Sequence, residues 1–215
     1  MKKRILILTS NDDLLPRKTT PILYLGAWCR IFSKKKKWEK YDYKIVPYHW
    51  NDRQKLSNDY KSLYELFDLI IISISKYLNQ IHSIKRSKEF WEILIGPWLL
   101  LFIQVTFDRW YMLNFALKNF SISDIRICDF RESFIANDHQ DFNNLLADES
   151  DFLNNKIYKE ILDFKKTKYS KKYVKYFSSM DKKKARFNLQ LILLNIYNQF
   201  LNFAPFIKND ICLMN

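Results

Sequence analysis

The chain has 215 residues, 48% hydrophobic and 17% aromatic, so it can bury about 70% of its unfolded surface and is not intrinsically disordered. Only two glycines are present, which excludes collagen-like sequence and the glycine-rich loops that bind nucleotide phosphates. The formal net charge of +13 indicates polyanionic partners, or else the lysine-rich composition of an AT-rich gene. The length predicts one domain, or one domain with an extension.

The first element in chain order is a strand at residues 5–8, a continuous apolar run typical of a mostly parallel sheet. The run is too short for a signal peptide, and the three cysteines lie far apart, so a cytoplasmic protein is expected. The polar loop 9–21 would follow the carboxyl end of this strand, where open α/β sheets bind ligands. An ordinary connection explains the loop equally well.

Two further elements precede the clearest periodic signal in the chain. A helix is predicted over residues 22–38 and a strand over residues 43–46. A long helix follows, with Asn51 as its N-cap, because apolar residues recur every three or four positions from Leu56 to Ile84. The width of this stripe favours packing inside the domain, although its regularity also permits a coiled coil.

The next helix is predicted to begin at Ser87 and to break or kink at Gly96 and Pro97. We interpret its apolar run, residues 93–107, as a core helix because a membrane span needs about 20 residues. A third strand is predicted over residues 125–130, followed by helices at 141–164 and 181–204. Only three strands are predicted, fewer than a doubly wound sheet usually uses, so the chain is expected to be part of something larger.

Charge is unevenly distributed near the C-terminus. Residues 165–186 carry a net charge of +9, whereas residues 124–160 carry −5. The basic stretch interleaves lysines with Tyr169, Tyr173 and other aromatic residues, a composition that suits nucleic acid. The aromatic residues also recur at helical spacing, which favours a helix face packed on the core.

Three places could carry chemistry. His49 follows a strand end and has Asp52 nearby, so it suits acid/base work, although a packed histidine fits as well. Asp108 and Arg109 follow a buried segment and must pair or reach solvent. Residues 138–141 (DHQD) suggest a metal site, but a helix N-terminus capped by Asp138 is the better interpretation, and no metal site is predicted.

Five short strings occur together in a recognisable order: residues 21–30 (PILYLGAWCR), 38–40 (WEK), 46–53 (VPYHWNDR), 96–99 (GPWL) and 107–110 (FDRW). They resemble the N-terminal part of a bacterial family of surface-carbohydrate transferases, which is similar to two-domain glycosyltransferases and has no established mechanism. The chain departs from that family at Ala27, where an acidic residue is expected, and at Asn51, where an aspartate is expected.

The resemblance implies an α/β fold: a helix-rich, Rossmann-like half with a short, mostly parallel sheet, similar to the N-terminal domain of a GT-B-like glycosyltransferase. Residues 1–135 would form the α/β N-terminal domain, and residues 136–215 a helical basic extension of it. The donor-binding C-terminal domain of the family is expected to be absent. Whether the chain is active alone therefore stays open.

The resemblance also implies a set of site residues on the acceptor side of an interdomain cleft. His49, Asp52 and Asp108 would be catalytic, with His49 the general base on an acceptor hydroxyl. The residues expected to bind substrate are Gly26, Trp28, Arg30, Trp50, Arg53, Gly96, Trp98 and Arg109. Cys29 would line the same cleft.

The expected function is transfer of a sugar or related group in bacterial cell-surface polysaccharide biosynthesis. The partners would be an activated donor such as a nucleotide-sugar and a polysaccharide or lipid-linked acceptor, with no resident cofactor. Peripheral contact with an anionic membrane is expected at its inner face, through the basic C-terminal region, and nucleic acid is not expected. The alternative is a non-enzymatic basic helical module that binds nucleic acid or an anionic membrane surface.

Overall fold

The computed structural model describes residues 2–130, 136, 138–147 and 151–173. Five parallel strands form one sheet in the order β3-β2-β1-β4-β5. The strands are β1 (Arg4–Ile7), β2 (Ile22–Tyr24), β3 (Tyr43–Ile45), β4 (Ile122–Asp129) and β5 (Ser170–Tyr173). The helices are α1 (Lys35–Trp38), α2 (Arg53–Ile81), α3 (Lys88–Asn119), α4 (His139–Ala147) and α5 (Phe152–Phe164). This order is that of a Rossmann-like half, which confirms the predicted fold class.

The centre of the sheet is apolar because β1 and β2 are covered on both faces. All four residues of β1 and all three of β2 are buried. Met112, Leu113 and Ala116 of α3 pack in the same core cluster as these strands, together with Ile157 and Tyr158 of α5. The continuous apolar run that predicted a buried strand at residues 5–8 is therefore confirmed as β1 and its first following residue.

The helix predicted over residues 22–38 is wrong. Residues 22–24 form strand β2, paired with both β1 and β3, and only α1 at the end of the segment is α-helical. Apolar residues 22, 23 and 25 match a buried strand as well as a helix face. Phe32, which the predicted helix would place on the same side as Leu25, is 82% exposed. Short apolar runs carry this ambiguity because periodicity cannot separate the two in so few residues.

Helices α2 and α3 form a long antiparallel hairpin with its own core. Leu63, Leu66 and Phe67 of α2 pack in one cluster with Leu99 and Phe102 of α3. Packing inside the domain, which the wide stripe favours, is thus confirmed for α2. The N-cap is Asp52 and not Asn51, because the Asp52 carboxylate accepts a 3.0 Å hydrogen bond from the backbone N–H of Lys55.

Helix α3 begins where the sequence predicts but does not break. Ser87 is its N-cap, with the hydroxyl accepting a hydrogen bond from the backbone N–H of Phe90. The helix runs through Pro97 to Asn119. The sequence predicts a break or a kink at Gly96 and Pro97, and because the helix continues through the exposed Pro97, the break is wrong.

The sheet has two strands that the sequence pattern does not reveal. Strand β2 lies in the segment predicted as helix, and β5 lies in the basic stretch where Tyr169 and Tyr173 suggest a helix face. All four residues of β5 are exposed, because it is an edge strand. The expectation of a three-stranded sheet is therefore wrong. Tyr176 and Phe177 lie outside the described residues, as does Cys212.

Candidate active site at the carboxyl edge of the sheet

His49 lies just beyond the carboxyl end of β3, where it is held between two carboxylates. Its Nε2 is 3.0 Å from Oδ1 of Asp108 on α3, and its Nδ1 is 3.8 Å from Oδ2 of Asp59 on α2. Asp59 also accepts hydrogen bonds from Trp50 at 2.9 Å and from Lys55 at 2.8 Å. A carboxylate at Nε2 fixes the ring orientation and makes that nitrogen the proton donor, which leaves Nδ1 as the basic nitrogen of the neutral ring.

The imidazole of His49 is enclosed by aromatic rings. Tyr111 stacks on it with ring centroids 4.3 Å apart, and Trp50 lies against it at 4.6 Å. Tyr48 and Phe107 complete the enclosure at 5.3 and 6.1 Å. The side chain of His49 is only 3% exposed as a result, so this structure shows it closed to bulk water.

Arg109 links the surroundings of His49 to residues at the centre of the sheet. Its guanidinium pairs with Asp108 and donates to Oδ1 of Asn154 on α5, at 2.9 and 3.2 Å. Asn154 in turn donates to Asp151, whose other oxygen accepts 2.6 Å hydrogen bonds from both the backbone N–H and the hydroxyl of Ser10. These contacts make one continuous network, which we call the polar network: Ser10, Asp151, Asn154, Arg109, Asp108, His49 and Asp59.

The polar network starts at the place where a Rossmann-like sheet binds its ligands. Ser10 follows β1, and Asn155 of α5 holds the backbone of Cys128 in β4 through two hydrogen bonds. Strands β2 and β3 are added on one side of β1, and β4 and β5 on the other, so the strand order changes direction between β1 and β4. Ligands of open α/β sheets bind at such a point, outside the carboxyl ends of the strands. Asp151 adopts a left-handed backbone with φ of 55° to reach Ser10, a conformation that is uncommon for a residue other than glycine.

Trp28 covers one side of this region, and Gly26 makes room for it. The indole N–H of Trp28 donates to the carbonyl of Leu8 at 3.2 Å, and its ring lies 5.9 Å from Tyr48 and 6.0 Å from the guanidinium of Arg109. A Cβ at residue 26 would stand 2.1 Å from the Trp28 ring. Glycine is therefore required at this position by close approach and not by backbone conformation.

The structure places some of the site residues suggested by the sequence together and others elsewhere. The structure brings six of them together: Gly26, Trp28, His49, Trp50, Asp108 and Arg109. Arg30 lies apart, with its guanidinium over the rings of Trp38 and Tyr43 at 4.9 and 5.3 Å. Gly96 and Trp98 belong to the hairpin, where Gly96 lies against Phe67 of α2 and Trp98 stacks on Phe102.

Asp52 and Arg53 lie at the start of α2, a short way along the chain from His49. Asp52 caps the helix, so this contact assigns it a structural role. Arg53 is exposed and makes no ion pair within the part of the chain that the structure describes. Its guanidinium is therefore the accessible cation nearest in sequence to His49.

Ser10 lies in the loop 9–21, which the sequence suggests as a candidate ligand-contact region because it follows the first strand. Sequence reasoning missed three other members of the polar network: Asp59, Asp151 and Asn154. Each comes from a segment that reads as ordinary loop or helix surface, and only tertiary contacts place them beside the predicted residues. The acidic cluster before α5 is the one available signal, since Asp151 belongs to it.

Two buried groups near the site stay protonated at neutral pH. Burial raises the pKa of the Cys29 thiol to about 12, which removes it as a nucleophile. Tyr158 is fully buried, its hydroxyl has no hydrogen-bond partner among the described residues, and burial raises its pKa. Burial and the nearby carboxylate of Asp108 likewise raise the pKa of Tyr48. Proton transfer by the thiol or by these phenols is therefore disfavoured relative to His49.

The metal interpretation of residues 138–141 is not supported. Asp138 accepts a 2.8 Å hydrogen bond from the backbone N–H of Asp141, which is the helix-capping role that the sequence favours. His139 contacts Asn143 on the exposed side of α4. Within the described ranges, no three histidine, cysteine or acidic side chains gather as metal ligands.

Comparison with known proteins gives one match. The model of a family described as LIC12162 family transferase matches residues 4–215, which is nearly the whole chain. No curated protein and no solved structure matches.

Proposed function

The chain belongs to the LIC12162 family of transferases, and from this premise we propose that it transfers a sugar or related group in bacterial cell-surface polysaccharide biosynthesis. The observation that carries the proposal is the His49–Asp108–Arg109 arrangement, a histidine oriented by a buried carboxylate at the carboxyl edge of a parallel sheet. Transfer onto a hydroxyl needs a general base, and a histidine held in one tautomer is well suited to that role.

In this proposal His49 accepts the proton of an acceptor hydroxyl at Nδ1, the nitrogen that has no hydrogen-bond partner among the residues that the structure describes. The hydroxyl oxygen forms a bond to the anomeric carbon of the donor, while the bond from that carbon to the donor's phosphate breaks. The phosphate leaves with the electron pair, and Asp108 stabilises the imidazolium that forms. Because His49 is enclosed and its Nδ1 lies only 3.8 Å from the Asp59 carboxylate, the acceptor hydroxyl reaches Nδ1 only when Asp59 moves aside.

The cations around the site have separate roles. The guanidinium of Arg109 is held by Asp108 and Asn154, so we assign it the role of orienting the Asp108 carboxylate and not that of binding substrate. Arg30 is held over two aromatic rings. Arg53, exposed at the start of α2, is the group that we propose to bind the phosphate of the donor or of a lipid-linked acceptor.

We propose further that the described residues supply the acceptor side of a cleft and that a donor-binding domain completes it. We place the reaction in the cytoplasm. Cys29 and Cys128 are buried and form no disulfide within the described part of the chain, which suits a reducing compartment.

The test is a thermal-shift panel on the full chain with nucleotide-sugars, free nucleotides and lipid-linked saccharides. A ligand present at about 100 times its Kd adds about 2.7 kcal/mol of stability and so raises Tm. We expect a shift with at least one nucleotide-sugar or saccharide. Silence with all of these, together with a salt-sensitive shift on short DNA, would favour the nucleic-acid-binding alternative and overturn the proposal.

A substitution pair separates catalysis from binding once a ligand is found. His49→Gln keeps a hydrogen-bond donor for Asp108 but removes the base, so turnover should fall about 100-fold or more while the thermal shift stays. His139→Gln, on the exposed face of α4, is the matched control and should behave as wild type. Undiminished transfer by a folded H49Q protein would exclude His49 as the base.

A further inference from the structure

The first turns of α3 expose large apolar side chains to solvent. Ile93 is 82% exposed, Leu94 63% and Phe90 40%. Their spacing of three and four residues places them on one face of the helix. Ile81 and Ile84, at the turn between α2 and α3, are also exposed, at 45% and 38%. We call these five residues the hairpin face.

Basic residues surround the hairpin face. Residues 76–94 contain four bases, Lys76, Lys85, Arg86 and Lys88, and two acids, Glu89 and Glu92. Glu92 pairs with Lys88 at 3.3 Å, and a cationic excess remains. The guanidinium of Arg86 lies over the Phe90 ring at 5.2 Å. An apolar face with cations at its border is the composition of a surface that lies in the headgroup region of an anionic bilayer.

Helix α3 has the length and apolar character of a membrane span, but much of it packs against the rest of the protein. It is the one helix in the described part of the chain with these properties, with a mean hydropathy of 1.7 in its most apolar window, of which 33% is buried. Farther along, Met112 and Leu113 are fully buried against the sheet, and Asp108 belongs to the polar network. Only the first turns are available to lipid, so the contact is peripheral.

We propose that the hairpin face docks the protein on an anionic membrane surface, with Phe90, Ile93 and Leu94 among the headgroups and Lys85 and Arg86 on acidic phosphates. This inference stands on exposure and charge and does not rest on the transferase reaction. It assigns membrane contact to the α2–α3 turn and not to the basic residues 165–186. A second copy of the chain could cover an apolar face, but the excess of cations around it disfavours self-pairing.

Vesicle flotation of the full chain tests the proposal, with phosphatidylcholine vesicles that contain or lack phosphatidylglycerol. We expect flotation with phosphatidylglycerol vesicles that weakens at high salt. The pair I93S/L94S should lower the partition coefficient about tenfold or more, because two apolar anchors are lost. Phe32→Ser is the matched control, since Phe32 is also 82% exposed but lies outside the hairpin, and it should change nothing.

Charge reversal gives a second, independent readout. K85E/R86E should weaken binding to phosphatidylglycerol vesicles about thirtyfold or more, since the loss of each basic residue near an anionic surface is a roughly fivefold effect and the introduced carboxylates are repelled as well. K35E/K36E changes the net charge equally on exposed residues of α1 and should retain most of the binding. Circular dichroism melting confirms that all four variants fold.

Several results would overturn the proposal. Wild-type protein that does not float at low salt would do so, as would I93S/L94S protein that floats normally. Loss of flotation only when Lys182, Lys183 and Lys184 are changed to Glu would assign the contact to the basic C-terminal region. A dimer that I93S/L94S dissociates, without vesicle binding, would make the face a self-association surface. Nucleotide-sugar thermal shifts measured without vesicles should be the same in I93S/L94S, so failure here is distinct from failure of the transferase proposal.

Discussion

The carboxyl edge of the sheet and the hairpin face place their side chains in opposite environments. At the edge, polar groups are buried: the side chains of His49 and Asp108 are 3% and 2% exposed. At the hairpin face, Ile93 and Leu94 are mostly in water. A buried charge is costly unless a partner is fixed beside it, whereas an exposed apolar side chain is tolerated by the fold without stabilising it. The edge is therefore held rigid by mutual contacts, and the hairpin face is available for a partner.

The largest expected effect is at Asp108, because it holds both His49 and Arg109. Asp108→Ala leaves the guanidinium of Arg109 without its carboxylate and should lower the free energy of unfolding by about 3–5 kcal/mol. Chemical denaturation measures this. Asp68→Ala is the control in the hairpin, where the carboxylate is 53% exposed, and it should cost little. If Asp108→Ala costs as little as Asp68→Ala, the polar network does not stabilise the fold.

Two leucines of α3 allow the sheet core and the hairpin face to be compared within one helix. Leu113 is fully buried against the sheet, so Leu113→Ala should cost about 2–5 kcal/mol. Leu94 is 63% exposed, so Leu94→Ala should stay within about 0.5 kcal/mol of wild type. Thermal and urea unfolding report both. A large loss in L94A would show that another part of the protein covers the hairpin face.

The two glycines should respond with opposite signs. Gly26→Ala forces a Cβ onto the Trp28 ring and should cost about 1–3 kcal/mol as the ring moves off Leu8 and Tyr48. Gly96→Ala meets only ordinary contacts 3.5 Å away and gains helix propensity, so it should stabilise the protein by up to about 1 kcal/mol. Differential scanning fluorimetry of the two variants is sufficient. Destabilisation by G96A would indicate that α2 and α3 approach more closely than the structure shows.

A modest loss of stability is expected at Asp52, where a capping role and a catalytic role predict different results. Asp52→Ala should cost about 1 kcal/mol through the lost cap of α2. Asp52→Ser keeps a capping oxygen and should restore both stability and transfer activity. If D52S is stable but inactive, the carboxylate takes part in the reaction after all.

Sequence reasoning predicted the elements whose patterns are long and missed those whose patterns are short. Helix α2 follows from eight turns of regular spacing, and the start of α3 follows from Ser87. Strand β2 has three residues and β5 has four, so neither run is long enough to separate strand from helix. Pro97 predicted a break or kink, but packing of α3 against α2 and the sheet carries the helix through it despite the backbone hydrogen bond that proline removes.

The site was predicted in part for a similar reason. Resemblance and local chemistry identified His49, Asp108 and Arg109, which the structure joins. Sequence reasoning could not identify Asp59 or Asp151, because their partners are distant in the chain: Ser10 and Asp151 are 141 positions apart. Resemblance also grouped Gly96 and Trp98 with the site, whereas both lie in the hairpin core.

The sequence by itself determined an α/β chain with a buried first strand and long amphipathic helices, because composition and period act locally along the chain. Tertiary structure alone decided that the sheet has five parallel strands and that His49 lies between two carboxylates. It also decided that Ile93 and Leu94, in the middle of an apolar run, face water. The physical reason is that strand pairing, the partner of a buried charge and the exposed face of an apolar helix all depend on what the rest of the chain covers.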